Sequence, residues 1–380
     1  MSSSNESSPK APILVTQPSL PPMEEFLPYL EGIWQRRHLS NNGPLHQQLE
    51  AALIDYLGVQ NITLFSNGTL ALVAAIKALG LKGEIITTPF SFVATANAIL
   101  LSNCRPVFVD IEPGGFNLDP KKIEAAITPN TTAILPVHCY GYPCDVEEIQ
   151  RIADKHGLKV IYDAAHAFGV NCHCGSVLNH GDMSVLSFHA TKVFSTLEGG
   201  AVISHTKDLK QELELQKNFG FVSETDVVRV GSNAKLNEIS AAFGLSHLRH
   251  QKAFLERRAS VAKIYNSCLS EFDGVVTPNG RDFLHSGSAN WGYYPILLSE
   301  PLPPRDVVHE RLRADGIFSR RYFYPLITDM SAYTSFRELG DLSNAREAAS
   351  RVLCLPIHAN MTEAEAHFVC EMLMKGCVQA

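Results

Sequence analysis

From about residue 60 to residue 205, short apolar runs rich in β-branched residues alternate with stretches of helical periodicity. The runs NITLF, EIITT, RPVFVDI, TAILPV, LKVIYD, MSVLSF and GGAVISH read as strands, because each is short, nearly unbroken and bounded by turn residues. Between them, a segment opening at Gly68, another from Phe92 to Leu101, and DVEEIQRIADKHG closed by Gly157 carry helix signals. This alternation predicts an α/β fold of mostly parallel strands covered by helices on both faces. In such a sheet ligands bind beyond the carboxyl ends of the strands, so chemistry is expected in the polar residues that follow an apolar run.

Beyond His205 the rhythm changes. Lys235 to about Ser270 reads as one long helix, Asn290 to Leu298 as a strand, RDVVHERLRADG as a helix ending at Gly316, and TEAEAHFVCEMLMKG as a final helix. The pattern predicts a large domain over 12–250 and a smaller α+β C-terminal domain over 251–380. The Ser-rich residues 1–11 cannot bury apolar surface and are expected to form a disordered tail. With no repeat and no low-complexity linker, the two domains are expected to pack tightly.

The 380 residues carry a net charge of -7 and no long Lys/Arg run, which argues against a nucleic-acid partner. No apolar stretch approaches 18 residues and the start MSSSNESSPK lacks the features of a signal peptide, so no membrane association and a cytoplasmic location are expected. Nine cysteines, an odd number scattered from Cys104 to Cys377, are expected to be reduced. The cluster Cys172-His173-Cys174, with His138, Cys139 and Cys144 elsewhere, lacks the doubly paired spacing of a common zinc motif. It reads as a surface loop, and no metal is expected.

Three segments follow strands and carry candidate chemistry. Ser66-Asn67-Gly68-Thr69 closes NITLF and opens a helix, which presents unpaired amides and a positive dipole end to an anion such as phosphate; an ordinary cap with a turn glycine fits the same residues. Asp163-Ala164-Ala165-His166 follows LKVIY. A carboxylate there calls for a cationic partner, of which a pyridinium nitrogen is one, whereas a capping Asp163 and a satisfied buried His166 would be the plainer account. In SFHATKVFSTLEGG, Lys192 stands in a segment without another charge until Glu198; apolar surroundings favour the neutral amine that attacks an aldehyde, although most lysines are simply solvated. A phosphate site, an acid for a ring nitrogen and a lysine for an aldehyde are together the fittings of pyridoxal phosphate.

With VTQPSLPP, YDAAHAFG, SFHATKVFSTLEGG, NAKLNEISAAFGL and LCLPIHANMTEAE, the chain resembles the DegT/DnrJ/StrS sugar aminotransferase family over nearly its whole length. The resemblance implies the aspartate-aminotransferase type of fold, a pyridoxal-phosphate enzyme, and a homodimer whose active sites lie at the subunit interface. By position, Lys192 resembles the lysine that carries the cofactor and shuttles the proton, Asp163 the partner of the pyridine nitrogen, and His166 a contact of the cofactor's ring-side oxygen. Gly68, Thr69 and Ser187 match phosphate-binding positions, Phe92 the aromatic residue on the cofactor ring, and Asn233 a phosphate contact drawn from the neighbouring subunit. A side branch of the family has histidine in place of the lysine and removes a hydroxyl instead; here the lysine is present.

The opening VTQPSLPP and the segment FSNGTLAL are similar to those of members that aminate dTDP-4-keto-6-deoxyhexoses. The implied reaction is transfer of an amino group from L-glutamate to a dTDP-4-keto-6-deoxyhexose, with 3-amination or a GDP- or UDP-linked sugar as alternatives. A protein that holds the cofactor as a non-catalytic sensor, or a metalloenzyme built on Cys172 to Cys174, would be functions of another class. For the nucleotide diphosphate, SRRYFYPL offers an arginine fork of Arg320 and Arg321 beside Tyr322, which suits a phosphate and a base.

Overall fold

The computed structural model describes residues 11–278 and 289–378. The expected tail therefore lies, except for Ala11, outside the described residues. At its centre is an eight-stranded sheet in the order Arg337–Glu338, Cys104–Phe108, Gly83–Thr87, Thr131–Ile134, Lys159–Asp163, Met183–Ser187, Gly200–Ser204, Asn61–Phe65. Every neighbouring pair is parallel up to Met183–Ser187, while Gly200–Ser204 runs antiparallel to both strands beside it. Seven strands thus point one way, and the carboxyl ends of Asn61–Phe65, Lys159–Asp163 and Met183–Ser187 share one edge with the start of the reversed strand.

The apolar strands are buried on both faces, as their composition requires. One face is covered by the helices Pro44–Leu57 and Val146–His156 through Leu49, Leu53, Ile149 and Ile152, and the other by Gly68–Ala78 and Ala94–Leu101 through Leu72, Ile76 and Ile99. A three-stranded antiparallel sheet, Val275–Val276, Tyr294–Leu298 and Val352–Leu355, forms a separate core with the helices Arg305–Ala314 and Glu363–Val378. Ile13–Leu14 pairs with Ile317–Phe318, so the start of the described chain is sewn to its C-terminal part. The 32-residue helix Glu238–Leu269 joins both cores, burying Ala241 and Ala242 in the first and Val261, Tyr265 and Leu269 in the second.

Two segments that border the cleft differ from the pattern-based expectation, and the long helix expected from Lys235 begins at Glu238. The helix expected from Phe92 begins at Ala94, leaving Phe92 on a loop and 56% exposed. The strand expected from Asn290 begins at Tyr294. Asn290 makes a turn instead: its side-chain amide donates to the carbonyls of His166 and Phe168 at 2.8 and 3.1 Å and its oxygen accepts from the Gly292 amide.

Candidate active site

A cleft of about 280 Å³ opens at the carboxyl edge of the main sheet, lined by Gly68, Thr69, Asp163, His166, Ser187 and Lys192 among others. Its floor begins where the Asn61–Phe65 strand turns into the Gly68–Ala78 helix. Asn67 caps that helix by accepting from the Leu70 amide at 2.9 Å, and the first-turn amides that follow have no partner within the helix. The packing explains the glycines here. A Cβ on Gly68 would sit 3.0 Å from the Ser187 Cβ, and one on Gly200 would lie 2.6 Å from the Asn67 carbonyl carbon. Only a bare backbone lets the helix start, the Ser187 strand end and the reversed strand meet so closely.

Asp163 ends its strand buried at 5% exposure. One carboxylate oxygen accepts from the Thr95 hydroxyl at 2.8 Å and the other from the Ala165 amide at 3.1 Å, with Ser91 in turn 2.9 Å from Thr95. Burial raises its pKa above the ordinary range, against the pull of those two hydrogen bonds and of Lys192. The carboxylate is therefore held in place but short of positive charge, a site where a cationic ring nitrogen would be stabilising.

His166 is buried beside it. Its Nδ1 accepts from the Tyr140 amide at 3.1 Å, so the neutral ring carries its proton on Nε2. Burial, and then the charge of Lys192, hold its pKa well below the usual histidine value. Rings pack around it: Tyr293 at 4.6 Å between centroids, and Phe323 stacked at 6.0 Å.

Lys192 lies on the loop between the Met183–Ser187 and Gly200–Ser204 strands, and Phe194, which follows, anchors that loop by stacking on Phe168 at 4.6 Å. Its Nζ donates to the Tyr293 hydroxyl at 3.3 Å. The side chain reaches the cleft, yet its amine is poorly hydrated there. Burial pushes its pKa down to about 8, with Asp163 the foremost opposing influence. Burial also pushes the Tyr293 phenol upward, so Tyr293 stays a neutral hydroxyl and serves as acceptor.

Gly68, Thr69, Phe92, Asp163, His166, Ser187, Lys192 and Tyr322 thus meet in one cleft. Asn233 and Arg320 do not line it. Asn233 is exposed and bridges by backbone to Asn218, at the foot of a hairpin formed by Phe221–Ser223 and Asp226–Val227. Arg320 is exposed with its guanidinium 5.6 Å from the centre of the Tyr322 ring, one layer behind the cleft wall. The expected fork is not formed: Arg321 turns to Asp306, 3.0 Å away, and to the Tyr324 ring. Sequence reasoning missed Thr95, Tyr140 and Tyr293. Thr95 lies in the middle of an apolar helix pattern, and the tyrosines are remote in sequence from what they touch.

A model of the DegT/DnrJ/EryC1/StrS aminotransferase family matches residues 22–374. A Shigella dysenteriae protein named dTDP-4-amino-4,6-dideoxy-D-glucose transaminase is 54% identical over 354 residues, 92% of this chain and 95% of that protein. An Escherichia coli protein of the same name is 48% identical over 357 residues, with the same two coverages. Among solved structures, that of DesI in the presence of its TDP-sugar product superposes with a TM-score of 0.91 at 32% identity, covering 96% of this chain and 93% of that one.

Proposed function

The chain belongs to the DegT/DnrJ/EryC1/StrS aminotransferase family, and from that premise we propose that it transfers the amino group of L-glutamate to dTDP-4-keto-6-deoxy-D-glucose, yielding dTDP-4-amino-4,6-dideoxy-D-glucose. The observation that carries the reading is the meeting of a poorly hydrated lysine amine, a buried carboxylate whose bonds come from Thr95 and Ala165, and a helix N-terminus in one cleft. These residues fit pyridoxal phosphate. When bound, that group supplies an aldehyde to accept the amino group and a conjugated ring to spread the negative charge left when a proton is removed.

The chain's own groups then have distinct work. Burial lowers the Lys192 pKa to about 8, so its Nζ is available both as nucleophile toward an aldehyde and as carrier of a proton. Asp163, ionised, would favour a proton on the ring nitrogen, and Thr95 and Ala165 hold that carboxylate in position. His166 would offer its Nε2 proton to the ring-side oxygen. The amides of Gly68 and Thr69, with the Ser187 hydroxyl, would hold the phosphate, and Phe92 would be the aromatic residue facing the ring.

In this reading the enzyme is a cytoplasmic homodimer, with 12–250 as its large and 251–380 as its small domain. The hairpin beside Asn233 supports the dimer: Phe221, Val222 and Val227 are 42%, 52% and 53% exposed, an apolar surface suited to a second subunit. Asn233 of the partner subunit would then complete the phosphate site. Arg320 and Tyr322 border the region that takes the nucleotide sugar.

The test is an absorption spectrum of protein mixed with pyridoxal phosphate, before and after glutamate, followed by product analysis with dTDP-, GDP- and UDP-linked keto sugars. Lysine-bound cofactor that glutamate converts to the pyridoxamine form in wild type, but not in Lys192→Ala, with amination of the dTDP sugar alone, is expected. A visible band surviving the loss of Lys192 would overturn the lysine's role, and preferential amination of a GDP or UDP sugar the substrate.

A further inference from the structure

Between the strand that ends at Asp163 and the strand that ends at Ser187 the chain makes a small excursion on the surface. Asn171–Cys172 pairs antiparallel with Gly175–Ser176, closing a tight hairpin in which Gly175, at the start of the return strand, adopts φ +111°. A helical turn over Val177–Asn179, pinned by the fully buried Val177 and Leu178, then brings the chain back to His180. Three soft donors converge as a result. The Cys172 Sγ lies 3.0 Å from the Cys174 Sγ and 3.3 Å from the His180 Nε2, and the Cys174 Sγ lies 3.2 Å from the same nitrogen. The cluster does not line the cleft, and among the described residues it is the one grouping of cysteine, histidine or acidic side chains whose ligand atoms all lie within 4.8 Å of one another.

The sequence pattern hid this cluster, because the third donor is not the neighbouring His173. That residue turns outward to Glu147, 3.0 Å away. His180 replaces it from eight positions beyond Cys172, a spacing dictated by the hairpin and the helical turn.

We infer that Cys172, Cys174 and His180 bind one zinc ion, which staples the 172–180 segment. Two thiolates and an imidazole are the donor set a borderline-soft d10 ion prefers. With metal–sulfur bonds of about 2.3 Å and a metal–nitrogen bond of about 2.0 Å, tetrahedral edges run to roughly 3.5–3.8 Å, so the ion is seated when the two sulfurs part by about 0.8 Å and the imidazole withdraws by about 0.3 Å. On binding, both thiols release their protons to solvent and water fills the fourth position. The ion's work is structural: it closes a nine-residue loop between the strands that deliver Asp163 and Ser187.

The experiment uses full-length, cofactor-loaded protein kept under reductant, stripped with a chelator and then titrated with Zn²⁺, or with Co²⁺ as a spectroscopic probe. One equivalent of either ion should survive gel filtration. The cobalt difference spectrum should show a thiolate charge-transfer band and the intense visible bands of a tetrahedral site. Zinc should raise the melting temperature of the wild type. Cys174→Ser and His180→Gln should weaken uptake by more than about tenfold, the least expected from losing a direct ligand, and lose the thermal shift, while His173→Gln behaves as wild type. Because Cys174 is exposed and His180 partly so, both variants should fold, and transaminase activity reports that they have. Absence of uptake by the reduced wild type, uptake without a thiolate band, or equal uptake by Cys174→Ser and His180→Gln would overturn the site. So would an intact mass lighter by two hydrogens that resists reductant, which would assign the pair to a disulfide.

Discussion

Gly68, Asp163 and Ser187 reach the cleft because strands end there, and each is fixed by backbone geometry: a capped helix, two hydrogen bonds to a carboxylate, a Cβ contact with no slack. Tyr293, Tyr322 and Phe323 come instead from loops of the C-terminal part and are held chiefly by one another and by Tyr140 and His166, ring against ring. The first group cannot move without disturbing the sheet. The second can be repacked, since aromatic contacts tolerate a range of geometries. Under the proposed function, that division would rest the cofactor chiefly on the sheet edge and leave recognition of the sugar to the loops.

The division can be broken from its rigid side first. Lys192→Ala should lower turnover on the order of 10⁴-fold, the upper range for loss of a general acid–base group, with the fold retained, as read by kcat alongside circular dichroism. Asp163→Asn preserves shape but removes the charge proposed to hold a proton on the ring nitrogen, and should cost about 10²–10³-fold in kcat; an undiminished kcat would remove that carboxylate from the chemistry. Thr95→Val frees one oxygen of Asp163 and should weaken cofactor affinity by roughly 10-fold, in keeping with a hydrogen bond to a charged group, measured by cofactor titration of the apo protein. On the loop side the effect should be smaller and of another kind. Arg320→Ala should raise KM for the sugar nucleotide a few-fold, about 1 kcal/mol of lost binding, and leave kcat alone; a fall in kcat instead would put Arg320 among the groups that set the chemistry.

The pH dependence of cofactor capture sharpens the same contrast. Burial holds the Lys192 pKa at about 8; deprotonated amine is the reactive form, so it accumulates as pH rises toward that value. The rate at which apo protein takes up pyridoxal phosphate should therefore climb roughly tenfold per pH unit below about 8 and level off above it. A rate still climbing through about pH 10, where an ordinary lysine titrates, would mean that the cleft does not desolvate the amine.

The sheet side was readable in the chain because strand ends announce themselves: LKVIY runs straight into Asp163, and NITLF into Asn67-Gly68. The reversed direction of Gly200–Ser204 was not, since an antiparallel strand buried on both faces has the same composition as a parallel one. Tyr293 was hidden for a related reason. Its segment reads as a continuous strand from Asn290, and only the hydrogen bonds of Asn290 to the His166 and Phe168 carbonyls turn that stretch into a loop that delivers a phenol to Lys192. The arginine fork failed because sequence adjacency said nothing of Asp306, fifteen residues away, which claims Arg321.

The helix Glu238–Leu269 has a consequence for how the molecule comes apart. It is about 48 Å long at 1.5 Å per residue, and its first turn is locked by the buried Glu238 carboxylate, which accepts from the Leu45 and His46 amides at 3.1 and 2.9 Å. Its far half is tied down by Tyr265, whose hydroxyl donates to the Pro356 carbonyl at 2.7 Å. A helix shared in this way cannot fray on one core without loosening its grip on the other. Heating should consequently melt the two cores in a single cooperative step, and a glycine-proline pair placed between them near Gln251 should split that step in two.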